Sequence, residues 1–81
     1  MRIICFVSNP KSMSAISTDT QTSTPLSLFG QCAINWLDGT PMLNGRCLEF
    51  FELAMTLDDL GVDEDCRLIL CPRKVGKDGL I

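Results

Sequence analysis

The strongest local signal in the sequence is a helix start at Thr24-Pro25. A threonine hydroxyl accepts a hydrogen bond from the unpaired N–H groups of a first helical turn, and proline suits the first helical position. Apolar residues follow at helical spacing: Leu26, Phe29, Ala33, Trp36 and Leu37. This spacing predicts a helix that ends at Asp38-Gly39, and Gly30 is expected to let it pack closely on a sheet.

Strand patterns precede this helix. Residues 3–7 are apolar and rich in β-branched and aromatic types, which predicts a first strand with Ile4 and Phe6 facing inward. Residues 9–12 predict a turn, and residues 13–18 predict the partner strand of a hairpin.

Strand and turn patterns also follow the helix. Residues 40–43 predict a short strand, and Asn44-Gly45 is a strong turn dipeptide. Residues 46–55 are compatible with a strand or a short helix, and residues 56–61 predict one capped helical turn ending at Gly61. Residues 66–71 predict a final strand with Leu68 and Leu70 on one face.

The order of these elements predicts an α+β fold, with one main helix on one face of a four-stranded mixed sheet. With 81 residues the chain has room for a single core, which we expect to span residues 1–72. Residues 73–81 have no periodicity and two glycines, and they predict a flexible C-terminal tail.

Composition excludes several classes of function. The net charge of −3 argues against a general nucleic-acid binder, and the apolar run at the N-terminus is too short for a signal peptide or a membrane insertion. The chain has no histidine, no Cys-x-x-Cys pair and no P-loop, which argues against nucleophilic enzyme chemistry, a metal site or a bound cofactor. We therefore expect a non-enzymatic monomer.

The five cysteines are odd in number and lie within hydrophobic stretches. They indicate a reduced cytoplasmic or nuclear protein that uses cysteine as a small core residue. Trp36 is expected in the core, and the acidic loop at residues 63–65 is expected to be solvated. Because Phe50 and Phe51 are adjacent, a strand would turn one ring outward as a candidate partner contact.

Three segments resemble ubiquitin-like β-grasp domains in general: residues 43–48, residues 56–62 and Leu68-Ile69-Leu70. Ser8-Asn9-Pro10 and Ser23-Thr24-Pro25 narrow this resemblance to the ubiquitin-fold modifier, as does the C-terminal run Leu68-Ile69-Leu70-Cys71-Pro72-Arg73-Lys74-Val75-Gly76. The chain departs from that family in its acidic loop, where the family tends to carry a lysine used for chain building. Its extension after Gly76 is also longer than the usual dipeptide.

The resemblance implies a conjugation route, ufmylation. A cysteine protease would remove a propeptide after Gly76, and an E1-like activating enzyme, an E2-like conjugating enzyme and an E3 ligase would attach Gly76 to lysines of target proteins. It also implies conjugates at the endoplasmic reticulum surface. Tail recognition would fall to Pro72, Arg73, Lys74 and Val75, and the removed residues would be Lys77, Asp78, Gly79, Leu80 and Ile81.

Glycine suits the attachment point because a residue without Cβ can thread a narrow channel and expose its carbonyl carbon. Gly79 is a rival cleavage point, since Leu80-Ile81 would make an apolar leaving dipeptide. Plain flexibility of a polar tail is the alternative interpretation. Two other functions stay open: a ubiquitin-like protein-interaction module that is never conjugated, and a sulfur carrier, although such carriers usually end in Gly-Gly.

Overall fold

The computed structural model describes residues 1–72, so the predicted tail of residues 73–81 lies outside the described residues. The strands are β1 (Arg2–Asn9), β2 (Ser12–Asp19), β3 (Gly39–Leu43), β4 (Arg46–Cys47) and β5 (Cys66–Pro72). The helices are α1 (Pro25–Gln31) and two 3-10 helices, η1 (Trp36–Asp38) and η2 (Phe50–Ala54).

The strands form one mixed sheet in the order β2-β1-β5-β3-β4. Strands β1 and β5 are parallel, and the other neighbouring pairs are antiparallel. The predicted α+β fold is confirmed, with five strands instead of four. The additional strand is the two-residue β4, because residues 46–55 form both a short strand and a 3-10 helix.

The core lies between α1 and one face of the sheet. Leu28 and Phe29 of α1 are fully buried there, as is Leu68 of β5. The predicted alternation of side chains along β5 is confirmed, because Leu68 and Leu70 face this core. Leu53 of η2 and Leu57 of the following turn complete the same cluster.

The prediction of which β1 side chains face the core is wrong. Ile3, Cys5 and Val7 are buried, whereas Ile4 is half-buried and Phe6 is exposed. Cys5 lies opposite Cys66 and Val7 opposite Leu68 in the parallel pairing with β5. Since paired residues share a face of a sheet, the core face of β5 fixes the core face of β1.

The predicted helix begins correctly but is too long. Thr24 is its N-cap, with Thr24 Oγ1 accepting from Ser27 N at 3.1 Å, and Pro25 is the first helical residue. The helix ends at Gln31 instead of Asp38, and Leu26 of the predicted stripe is exposed. Ala33 has a φ of 55°, in the left-handed region, which stops the helix.

The predicted role of Gly30 is also wrong. Gly30 is exposed, and a Cβ built on it meets no atom within 4 Å. Gly39 is the tightly packed glycine, because a Cβ there would lie 2.2 Å from the carbonyl oxygen of Cys71.

Both turns predicted after the helix are confirmed. Asn44 and Gly45 have φ values of 52° and 84°, as the two-residue turn between β3 and β4 requires. In the turn at residues 56–61, Thr56 Oγ1 accepts from Asp59 N at 3.2 Å, and Gly61 ends it at a φ of 84°.

Within residues 1–72, no helix is long and apolar enough to cross a membrane. The five cysteines are free thiols. Cys5 and Cys66 are buried as expected, but Cys32 and Cys71 are half-buried and Cys47 is exposed. Cysteine is thus a core residue at two positions of the five.

Candidate functional site

Pro72, the first of the predicted tail-recognition residues, lies at the end of β5. It pairs with Gly39 of β3, and it is exposed. Strand β5 is the middle strand of the sheet, yet its last residue is at the surface of the domain. The predicted residues Arg73, Lys74, Val75, Gly76 and Gly79 lie outside the described residues.

A cleft of about 250 Å³ lies beside Pro72. Its walls are the β1–β2 turn at residues 9–11, Asp38 of η1 and the last three residues of β5. Lys11 and Asp38 are both exposed, so this cleft has one positive and one negative side chain on its walls. The cleft therefore adjoins Pro72, the last described residue.

The sheet face opposite α1 is open to solvent. A cavity of about 270 Å³ there is lined by Phe6, Ser8, Met13, Arg67 and Ile69. These residues come from β1, β2 and β5, and their strand pairing places them side by side. Phe6 is therefore a surface residue, although the pattern of residues 3–7 predicted it in the core.

The Cys5 thiol is buried and hydrogen-bonded. The hydrogen bond to Cys66 and burial raise the pKa of the Cys5 thiol, which therefore stays protonated at neutral pH. On the open sheet face, the Cys71 thiol lies 3.2 Å from the Met42 sulfur. Among residues 1–72, no three Cys, Asp or Glu side chains are grouped to hold a metal ion.

The acidic loop also has a structural role. Asp65 Oδ1 accepts a hydrogen bond from Ile4 N at 2.9 Å and so ties the loop to β1. Asp63, Glu64 and Asp65 are exposed, as expected for a solvated loop.

A cluster of apolar side chains lies where α1, η1 and η2 meet. We call it the aromatic patch: Leu26, Trp36, Phe50, Phe51, Leu53 and Ala54. The rings of Trp36 and Phe50 are 5.3 Å apart. Trp36 is half-buried and packs on the edge of the core. Phe50 and Phe51 both point outward, since they lie on a 3-10 helix and not on a strand.

A mixed sheet in this strand order, with one helix packed across it, is a ubiquitin-like β-grasp fold. The chain is similar to the solved structure of Caldiarchaeum subterraneum ubiquitin, with a TM-score of 0.64 and 17% sequence identity over 94% of this chain and 99% of that one. A second solved structure, a ubiquitin-like protein from the hyperthermophilic archaea Caldiarchaeum subterraneum, gives a TM-score of 0.47 at 21% identity over 94% of this chain and 100% of that one.

No protein-family model matches the chain, and no curated protein matches its sequence. The similarity to the solved structure of the archaeal ubiquitin confirms the predicted fold. The narrower resemblance, to the ubiquitin-fold modifier, stays a prediction.

Proposed function

We propose that the chain is a ubiquitin-like protein modifier of the ubiquitin-fold modifier type, matured after Gly76 and joined through Gly76 to lysines of target proteins. One observation carries this proposal. The middle strand of a ubiquitin-like sheet ends at an exposed residue, Pro72, immediately before the sequence Arg73-Lys74-Val75-Gly76. A chain that leaves the body at this point can reach an enzyme without unfolding the domain.

The modifier supplies a carboxylate and no catalytic side chain. After a cysteine protease cuts the Gly76–Lys77 bond, the Gly76 carboxylate attacks the α-phosphate of ATP on an E1-like enzyme and releases pyrophosphate. The thiolate of that enzyme then displaces AMP and forms a thioester. Exchange onto an E2-like thiol follows, and an E3 ligase positions a target lysine amine to attack the thioester, which yields an isopeptide bond and a free E2-like thiol.

The tail residues have separate roles in this route. Gly76 leaves its carbonyl carbon accessible because it has no Cβ. Arg73 and Lys74 attract acidic enzyme surfaces, and Val75 gives a small apolar contact. The cleft walled by Lys11 and Asp38 is where an enzyme would hold the base of the tail. We place this chemistry in the cytoplasm and nucleus, with conjugates at the endoplasmic reticulum surface.

Mass spectrometry tests the maturation step. The full chain is incubated with an extract of its own cells, and we expect loss of residues 77–81. Alkylating the thiols of the extract beforehand should block this loss. Loss of only Leu80-Ile81 would move the attachment point to Gly79, and a chain that keeps its full mass would contradict the proposal.

The charging step tests Gly76 itself. A chain that ends at residue 76 should form a thioester with the E1-like enzyme, and Gly76→Ala in the same chain should reduce the rate of charging at least tenfold. Both chains should unfold at the same urea concentration, since Gly76 follows the predicted domain of residues 1–72. Equal charging of the two chains would exclude Gly76 as the attachment point.

A non-conjugated interaction module is the second candidate. It is favoured by the open sheet face, where Phe6, Met13 and Ile69 line a cavity beside Arg67. In that case Phe6→Ala should abolish capture of partners, while a chain that ends at Pro72 should capture them normally. A modifier gives the opposite result for the shortened chain, because it cannot be conjugated.

A further inference from the structure

The aromatic patch exposes large side chains on a small domain. Phe50 and Phe51 are 74% and 65% exposed, and Leu26 beside them is 44% exposed. Together with Trp36 they line an open cavity of about 170 Å³ whose lining side chains are all apolar. Contiguous apolar surface of this kind marks interaction sites on soluble proteins.

The patch is held in a fixed arrangement. Glu49 and Glu52 form a capping box at the start of η2, in which Glu52 Oε1 accepts from Glu49 N at 2.7 Å. Arg46 Nη1 bonds the Glu52 carboxylate at 3.0 Å, which ties η2 to β4. Leu53 anchors the same 3-10 helix in the core, so Phe50 and Phe51 are presented outward. A partner would therefore meet a surface already ordered for binding.

Acidic residues adjoin the patch along the chain. Glu49 immediately precedes Phe50, whereas Asp38 of η1 lines the cleft beside Pro72. Asp58 and Asp59 lie in the turn that is bonded to Thr20 and Ser23, just before α1 and Leu26. Between Ser12 and Cys66 the sequence has nine acidic residues and a single basic one, Arg46, whose guanidinium bonds Glu52. The segments that build the patch therefore carry a net negative charge, and we call Glu49, Asp58 and Asp59, which adjoin it, the acidic rim.

We propose that the aromatic patch binds an amphipathic helix of a partner protein, with apolar anchor residues flanked by Lys and Arg. The anchors would fill the cavity between Leu26, Trp36 and Phe50, and the basic flanks would face the acidic rim. A helix fits better than an added strand, because α1, η1 and η2 build the patch and no strand contributes to its lining.

Other occupants fit less well. Two copies of the chain meeting through this patch would bring two acidic rims together, and the like charges oppose their association. An anionic lipid surface would repel the same rim. The patch also lies on different elements from the open sheet face and the end of β5, so this inference does not depend on conjugation through Gly76.

The single tryptophan of the chain lies in the patch and reports its occupancy. The probe is a synthetic helical peptide of about 18 residues, with Leu along one face and Lys on both flanks. Titrated into the full chain, it should shift the Trp36 emission to shorter wavelength and move amide resonances of residues 26, 36 and 50–54. A matched peptide with Glu in place of Lys should bind at least tenfold more weakly.

Three chain variants distinguish binding at the patch from general attraction to an acidic protein. Phe50→Ser with Phe51→Ser should weaken binding of the Lys peptide at least tenfold, while Phe6→Ser on the opposite face should leave it within twofold. Glu49→Lys with Asp58→Lys should also weaken binding and remove the preference for Lys over Glu flanks. Urea unfolding of each variant confirms that it is folded.

Several results would overturn the proposal. Equal binding of the Lys peptide to the Phe50→Ser, Phe51→Ser chain would show general charge attraction. A Trp36 emission that changes with protein concentration alone would assign the patch to a second copy, and a shift with lipid vesicles would assign it to a membrane. A shift with a synthetic peptide of residues 73–81, at lower concentration than with the Lys peptide, would assign it to the chain's own tail.

Discussion

Gly39 is the residue that lets the end of β5 come close to β3. It follows η1 directly, begins β3 and pairs with Pro72. Its φ and ψ of −170° and −162° are extended values that any residue adopts. The constraint is therefore space: a Cβ at this position would lie 2.2 Å from the Cys71 carbonyl oxygen, and backbone cannot move aside as a side-chain tip can.

A methyl group at Gly39 should separate β3 from β5 at the end of β5. We expect Gly39→Ala to lower the free energy of unfolding by about 2–3 kcal/mol, the cost of overpacking a closely packed site. Gly30→Ala is the matched control, because Gly30 is exposed in α1 and its Cβ would meet nothing within 4 Å. That control should gain about 1 kcal/mol from helix propensity. Urea unfolding measures both, and equal effects of the two substitutions would contradict the space argument.

At the scale of elements, the end of α1 shows why the helix is shorter than its apolar spacing predicts. Ile34 N bonds Phe29 O at 2.9 Å, and Ala33 N bonds Gly30 O at 3.1 Å. This is the Schellman motif, which needs a left-handed residue at Ala33 and normally has glycine or asparagine there. Because alanine occupies the position, the sequence carries no stop signal, and the apolar residues beyond it imitate a continuing stripe.

The same motif predicts a stabilising substitution. Left-handed backbone costs an L-residue with a Cβ roughly 1–2 kcal/mol, so Ala33→Gly should raise the free energy of unfolding by about 1 kcal/mol. Ala15→Gly in β2 is the matched control: Ala15 is also exposed but lies in a regular strand, where glycine should cost about 0.5–1 kcal/mol. Thermal unfolding compares the two. A loss of stability in both variants would show that Ala33 is not strained.

The sequence predicts which side chains face the core in β5 but not in β1. In β5, Arg67 alternates with Leu68 and the charged side chain identifies the solvent face. Residues 3–7 of β1 are all apolar, so their pattern does not select a face, and pairing with β5 decides it. The helix start and the two glycine turns were predictable because each has a local chemical cause.

The two candidate sites also differ in whether the sequence alone predicts them. The tail motif after Pro72 is visible in the sequence because it is a run of consecutive residues. The aromatic patch combines residues from α1, η1 and η2, and the adjacent Phe50 and Phe51 gave the only hint of it. A patch assembled from three elements depends on how those elements pack, which local patterns do not specify.

For the molecule as a whole, charge is distributed unevenly. The described residues carry nine acidic side chains, eight of them between residues 38 and 65. Hydrogen bonds lower the pKa of two of these nine carboxyl groups. The N–H of Gln21 and the N-terminal ammonium lower the pKa of Asp19, and the N–H of Glu49 and the Arg46 guanidinium lower the pKa of Glu52.

These two carboxylates predict how stability depends on pH. A carboxylate whose pKa is lower in the folded state than in the unfolded state binds fewer protons when folded, so its contribution is present above the unfolded pKa. The unfolded reference values are 3.8 for Asp19 and 4.5 for Glu52. We therefore expect the free energy of unfolding to be level near neutral pH and to fall below about pH 5, as both groups become protonated.

Substitutions distinguish the effect of these hydrogen bonds on stability from the effect of net charge. Glu52→Gln and Asp19→Asn should each reduce the slope of stability against pH between about pH 5 and pH 3, because the variant side chain no longer titrates. Asp63→Asn in the exposed acidic loop removes the same unit of charge and should leave more of that slope in place. The measurement is urea unfolding at a series of pH values and constant ionic strength. If Asp63→Asn flattens the profile as much as Glu52→Gln does, relief of general repulsion among the acidic residues sets the dependence, and the bonds from Glu49 and Arg46 to Glu52 do not.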